Sequence, residues 1–140
     1  MADLKKTAGF TLIEIIITLA VAGILVSLAY PAYTDSVRKS RRTDAMTTLI
    51  ELQMLQEKHR STNISYAADL TTFGYTVVSS KAPTPSGYYE LELTGVSGAG
   101  FTITAIPLGD QTRDTSCVSF VVTQNGPDVS TAVKKSCWNQ

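Results

Sequence analysis

Histidine and tryptophan occur once each in these 140 residues, and cysteine twice. The lone imidazole, His59, has no second one with which to share a metal. On a helix-patterned stretch it reads as a helix-face residue. Neither Cys117 nor Cys137 has a C-x-x-C partner, so no redox or zinc motif is present. An excess of either charge is missing too, since twelve Lys plus Arg balance twelve Asp plus Glu. No whole-chain field therefore argues for nucleic acid or for an acidic partner. Gly95, Gly98 and Gly100 precede no helix pattern with Lys-Ser/Thr, which excludes a phosphate loop. Asp110, Asp114 and Asp128 lack the ligand spacing of an EF-hand-like calcium loop. The length is one domain's worth, which removes multidomain enzymes. No catalytic constellation survives, and the expectation is a non-enzyme without metal or cofactor.

What is present is apolar. Hydrophobic residues make up 44% and charged residues 17%, and no charge occurs from Ile15 to Tyr33. A secretory signal peptide would have a shorter apolar stretch and a small-residue cleavage site, although Lys5 and Lys6 supply the basic start. A buried core helix fails because the rest of the chain is too small to enclose a cylinder that is apolar all round. Phe10 to Leu28, at about 1.5 Å per residue, spans roughly the ~30 Å hydrocarbon core. The segment crosses a membrane or is buried among similar helices. Glu14 stands near its start, where its position alone reads as a headgroup boundary. At full depth its charge would cost up to ~2.5–3.5 kcal/mol. Gly23 and Pro31 weaken the helix, one through backbone entropy and the other by deleting a hydrogen bond. By themselves they read as a kink of the kind membrane helices tolerate.

The order Lys5-Lys6-Thr7-Ala8-Gly9-Phe10-Thr11-Leu12-Ile13-Glu14, running into the apolar stretch, resembles the leader of type IV pilins and pseudopilins, in the type IVa manner. The resemblance implies that a prepilin peptidase cuts after Gly9 and methylates the new N-terminus, Phe10. It makes Glu14 the assembly glutamate, paired with the N-terminal amine of a neighbouring Phe10. The stretch from Gly23 to Pro31 becomes the part that loosens in filaments. It also implies as partners other pilins, major and minor, and an inner-membrane assembly platform.

Beyond Tyr33, Ala45, Leu49, Leu52 and Leu55 recur at helical spacing with Met46 and Ile50 beside them, while Arg41, Asp44, Glu51, Glu57 and Lys58 fall elsewhere. One helix from Phe10 to about Arg60 is predicted, on the order of 75 Å long. Residues 61–87 read as a loop with little regular structure. Tyr89, Leu91 and Leu93 alternate with Glu90 and Glu92, Phe101 to Ala105 alternate likewise, and Val118 to Thr123 is a third β-branched run. Asn125-Gly126 signals a turn, and Val129 to Val133 a short edge strand. The fold class is α+β: a long N-terminal helix on a small antiparallel sheet. For Cys117 and Cys137 the residues alone leave a disulfide and two buried thiols nearly balanced. Orientation is also divided. Lys5 and Lys6 favour a cytoplasmic N-terminus, whereas Arg38, Lys39, Arg41 and Arg42 just beyond the span argue the reverse. The leader resemblance implies the first, with a periplasmic head and a Cys117–Cys137 bridge.

The likeness continues to the C-terminus. Tyr30-Pro31-Ala32-Tyr33 with Val37-Arg38-Lys39-Ser40-Arg41-Arg42, then Gly87-Tyr88-Tyr89, Phe101 to Gln111, Asp114 to Cys117 and Cys137-Trp138 are similar in order to PilE-like minor pilins of Gram-negative bacteria. Residues 61–87 match little beyond Tyr66-Ala67. The implied layout is a leader at 1–9, a membrane and assembly helix at 10–37, and a periplasmic head at 38–140. Within the head lie an αβ-loop at 61–87, a sheet at 88–124 and a disulfide-bounded region at 117–137. The expected protein is a structural subunit of a type IV pilus, a minor pilin in assembly or initiation. It is held in the inner membrane and then displayed on the cell surface. A type II secretion pseudopilin, whose acidic loops bind calcium, is one alternative. A DNA-binding competence pilin is another, because Arg38, Arg41 and Arg42 share a helix face. Asp35 and Asp44 stand close enough to pair with them, however, and no aromatic residue is interleaved for stacking, so a solvated or headgroup-facing surface is the better reading.

Overall fold

The computed structural model describes residues 10–139, so the leader expected at residues 1–9, with the Gly9 side of the expected cut, lies outside the described residues. Helix α1 runs Leu12–Thr62, and the chain divides after Ser36 into two units.

Among its described residues, the first unit is helix from Leu12 onward. Its large apolar side chains, from Leu12 to Leu28, are exposed all round, and none of the most apolar stretch is buried. Three of its hydroxyl side chains turn back onto the helix. Thr18 Oγ1 donates to the Glu14 carbonyl, Ser27 Oγ to the Ile24 carbonyl at 2.7 Å and Thr34 Oγ1 to the Pro31 carbonyl at 2.8 Å. Hydroxyls satisfied by their own backbone leave the stretch from Ile15 to Ala29 with an almost wholly hydrocarbon surface, as lipid or a helix bundle requires. The helix passes through Gly23 and Pro31 without interruption.

In the second unit the same helix becomes one-sided. Ala45, Leu49 and Leu52 are fully buried against Leu91, Ile103, Ala105, Phe120 and Val122. Met46 and Leu55 are half-buried beside them, but Ile50 faces outward and Thr48 and Gln56 take inner positions instead. Gln56 earns its place by hydrogen bonding: its amide donates to the Ala67 carbonyl at 3.1 Å and accepts from the Ala67 amide at 2.8 Å. That pair satisfies the backbone where the chain turns back, since a buried polar group left unpaired would cost about 1–3 kcal/mol.

The sheet is a meander of five antiparallel strands in sequence order. These are β1 (Lys81–Pro83), β2 (Tyr89–Thr94), β3 (Thr102–Pro107), β4 (Phe120–Thr123) and β5 (Gly126–Pro127). Leu91 pairs with Ala105, and Ile103 with Val122, so the apolar face of each strand meets the helix. Two expectations are corrected. The stretch 61–87 is not structureless: it holds a 3₁₀ turn at Leu70–Phe73, capped by the Asp69 side chain, and then the first strand. That strand begins the sheet at Lys81 instead of residue 88. Three residues are too few to show alternation, and Ser79 and Ser80 both take positive φ (50° and 66°) in the turn before it. Val129 to Val133 is not an edge strand either. The edge is Gly126–Pro127, following a turn at Gln124-Asn125, and Ala132–Trp138 forms helix α2. Thr131 caps α2 by accepting from the Lys134 amide, which favours helix over strand there.

Candidate assembly surfaces

Thr11 and Glu14 open helix α1 with a reciprocal pair. Thr11 Oγ1 accepts from the Glu14 amide at 3.4 Å, and Glu14 Oε2 accepts from the Thr11 amide at 3.5 Å. This is a capping box, in which two otherwise orphaned donors are satisfied and the carboxylate complements the helix dipole. The T-x-x-E spacing of Thr11 and Glu14 is its signal in the sequence. Glu14 thus sits at the exposed amino end of the apolar cylinder. Phe10, next to it, is exposed as well.

A disulfide joins Cys117 and Cys137 in the head, with Cα atoms 5.9 Å apart. That settles the balance between bridge and thiols in favour of the bridge. It ties α2 to the segment before β4, where Trp138 packs edge-on against Phe120 at 5.5 Å.

The basic cluster comes apart in three dimensions. Arg42 is buried and forks onto Asp114, 72 residues away, through Nε at 2.5 Å and Nη2 at 2.7 Å. Gln111 completes this network. Its amide donates to Asp114 at 3.2 Å, to the Tyr89 hydroxyl at 3.0 Å and to the Arg38 carbonyl at 3.3 Å. Burial is the main reason the Tyr89 phenol is pushed up to about 12; Asp114 adds to this, and the Gln111 bond and Arg42 oppose it. Arg41 lies over the Tyr88 ring, 4.3 Å from its centroid, so an aromatic partner does reach the cluster, from the sheet side of the sequence. Asp44, expected to pair with an arginine, accepts from Ser86 Oγ at 2.6 Å.

The acids weighed for calcium are engaged elsewhere. Asp114 is held by Arg42, Asp110 lies 3.8 Å from Arg113, and Asp128 pairs with Lys134. The Lys134 hydrogen bond, with help from Ser130, holds the Asp128 carboxyl down at about 2. No group of three potential metal ligands exists among the described residues. His59 lies edge-on to Phe73, a helix-face residue as expected.

An apolar helix feeding an antiparallel meander, stapled once near its end, is a pilin architecture. A type IV pilin from Shewanella oneidensis shares it, with a TM-score of 0.52 at 24% identity over 69% of this chain and 96% of that one. A family described as "Prokaryotic N-terminal methylation motif" matches residues 4–30. A second, described as "Type IV minor pilin ComP, DNA uptake sequence receptor", matches residues 31–121. The chain belongs to this family of type IV minor pilins. It is 32% identical to a fimbrial protein of Moraxella nonliquefaciens, over 64% of this chain and 69% of the relative. It is 29% identical to the type IV major alpha-pilin of Moraxella bovis, over 83% and 77%. It is also 26% identical to the type II secretion system core protein G of Vibrio cholerae, over 64% and 62%. The methylation motif and apolar helix fit a membrane-anchored pilin that is exported to a pilus, and the family is a structural one.

Proposed function

We propose that this chain is a minor subunit of a type IV pilus, stored in the inner membrane by helix α1 and built into the filament through the same surface. The observation that carries this reading is the cylinder from Leu12 to Leu28, whose apolar side chains are exposed on every side. Moving such a surface from lipid to a bundle of like helices exchanges one apolar environment for another. Packing and a few polar contacts then decide the outcome. Prepilin peptidase cleaves after Gly9 and methylates Phe10. The N-terminus stays cytoplasmic, and the head lies in the periplasm of a Gram-negative cell until the assembly platform takes it up. Arg42 is paired with Asp114 inside the head, so the folded chain presents one uncompensated cation fewer beyond the span than its sequence suggests. Gly23 and Pro31 mark where the helix loosens on packing.

Glu14 provides the test. Its carboxylate exchanges a contact with its own Thr11 amide for the methylated amine of a neighbouring Phe10, fixing register even where net stability is small. Glu14→Ala removes a polar group from the span, so the mature chain, beginning at Phe10, is expected in the inner membrane in normal amount. It is expected to be missing from sheared filaments. Entry into filaments at wild-type level would overturn the assembly role of Glu14.

The family description raises a second reading, a receptor for DNA. Lys81, Arg113 and Lys134 are each beside an acid, as Arg42 is, and this favours the filament role over a phosphate-tracking face. Salt-dependent binding of duplex DNA by the purified protein would support the second reading. The absence of any retardation at low salt would remove it.

A further inference from the structure

With Glu14 at one headgroup boundary, the charge-free run at residues 15–33 sets the other. At about 1.5 Å per residue it matches the ~30 Å hydrocarbon core and ends at Tyr33. Tyr30 and Tyr33 are both exposed there, where an aromatic belt marks headgroup level. Lys39 and Arg41 follow on the same helix, six and eight residues beyond Tyr33. That is about 9–12 Å at helical rise, and long basic side chains reach back toward the interface. The neighbouring charges are already engaged. Arg42 is held by Asp114, Asp35 and Arg38 each make an interaction of their own, and Asp44 accepts from Ser86 Oγ at 2.6 Å. Lys39 is exposed, and neither it nor Arg41 forms an ion pair among the described residues. Arg41 lies over the Tyr88 ring instead, a contact that keeps its charge and leaves N–H donors at its edge. Two such cations just past a span work against the positive-inside rule on any side but the cytoplasmic one. Their retention calls for an anion supplied from outside the chain.

We propose that Lys39 and Arg41 bind the phosphates of anionic phospholipids in the leaflet from which the head emerges. The assignment rests on reading the chain as stored in the inner membrane with a periplasmic head, and names its partner at that end. A zwitterionic headgroup brings its own ammonium group, which the two cations repel. A headgroup with net negative charge presents only the phosphate, and each Lys or Arg near such a surface adds to the attraction. The contact also supplies something that the apolar cylinder lacks. Hydrocarbon surface alone resists small shifts along the bilayer normal only weakly. Phosphates held at this end, with Glu14 at the other, fix the depth at which the subunit waits. Its withdrawal into a filament then begins by releasing lipid.

The experiment reconstitutes the full-length chain in phosphatidylcholine bilayers carrying spin-labelled phosphatidylglycerol or spin-labelled phosphatidylcholine. The ratio of the two labels immobilised by the protein, at low salt, measures its selectivity. Lys5 and Lys6 are common to every variant, so differences between variants report the other end of the span. Lys39→Gln with Arg41→Gln is expected to lower the preference for phosphatidylglycerol by up to about fivefold. Molar salt is expected to erase the difference from the native chain. Lys58→Gln with Lys135→Gln removes as many exposed cations farther along the chain and is expected to change nothing. Lys39→Glu alters one exposed side chain and leaves the Arg41–Tyr88 contact alone, so it repeats the test if the double variant disturbs the head. A native chain without preference would overturn the proposal. So would native selectivity in Lys39→Glu, or an equal loss in the Lys58 and Lys135 variant. Failure of the native chain to enter bilayers would instead remove the membrane-storage reading, so the two failures are distinguishable.

Discussion

Arg42 and Asp114 have nearly no exposed side-chain surface, and each carries a full charge into the core. Removing one of them strands the other, which typically costs about 3–5 kcal/mol, whereas replacing both with apolar residues of similar volume is often neutral. Arg42→Ala is therefore expected to lose about that much in urea titrations of the detergent-solubilised protein. Arg42→Met combined with Asp114→Leu is expected to recover most of it. Tyr89 makes a related statement about pH. Its phenol is raised to about 12 in the folded chain, mainly by burial, against an ordinary value near 10. A raised acid is bound more tightly to its proton in the native state. The stabilisation is complete below pH 10 and is lost as pH rises from about 10 to 12. Tyr89→Phe should flatten the fall in stability over that window, as followed by circular dichroism at stepped alkaline pH. Little of this buried network was legible beforehand. The sequence puts Arg42 among neighbours that offer an acid within one helical turn, and periodicity carries no information about a partner 72 residues away.

At the level of elements, legibility followed repeat length. Helix α1 and the three longer strands announced themselves because several turns or alternations accumulate. β1, with three residues, and β5, with two, gave no pattern to count. The turn before β1 holds two non-glycine residues at positive φ, a geometry that costs an L-residue roughly 1–2 kcal/mol. Ser80→Gly relieves that strain at some cost in unfolded-chain entropy, and a net gain of about 0.5–1 kcal/mol is expected in thermal melts. Val129 to Val133 reads as a strand because Val129 and Val133 are β-branched, yet helix α2 begins within it at Ala132. The cap at Thr131 and the bridge at Cys137 outweigh that preference. The bridge closes a loop of 20 residues, and its loss typically costs 2–4 kcal/mol. Changing Cys117 and Cys137 together to Ser is expected to lower stability by about that amount. Trp138 is the only tryptophan, and it packs on Phe120, so its emission should move to the red when α2 is released.

On the scale of the whole molecule, the methylation motif and the apolar helix carried most of the information, because their chemistry is written in contiguous residues. The head's surfaces depend on distant segments meeting. Tyr88 reaching Arg41 and Ser86 reaching Asp44 are contacts that only the fold supplies. The strand order has a consequence of a different kind. In a meander each strand pairs with the one made just before it, so every sheet contact closes a short loop of chain. Sheets with such local contacts fold quickly for their class, because little loop entropy is lost before pairing is rewarded. A chain that becomes available in sequence order offers the helix, then one strand at a time, with each already able to dock on its predecessor. The bridge from Cys117 to Cys137 is completed last. The interval in which unpaired edges are open to neighbouring copies is therefore short.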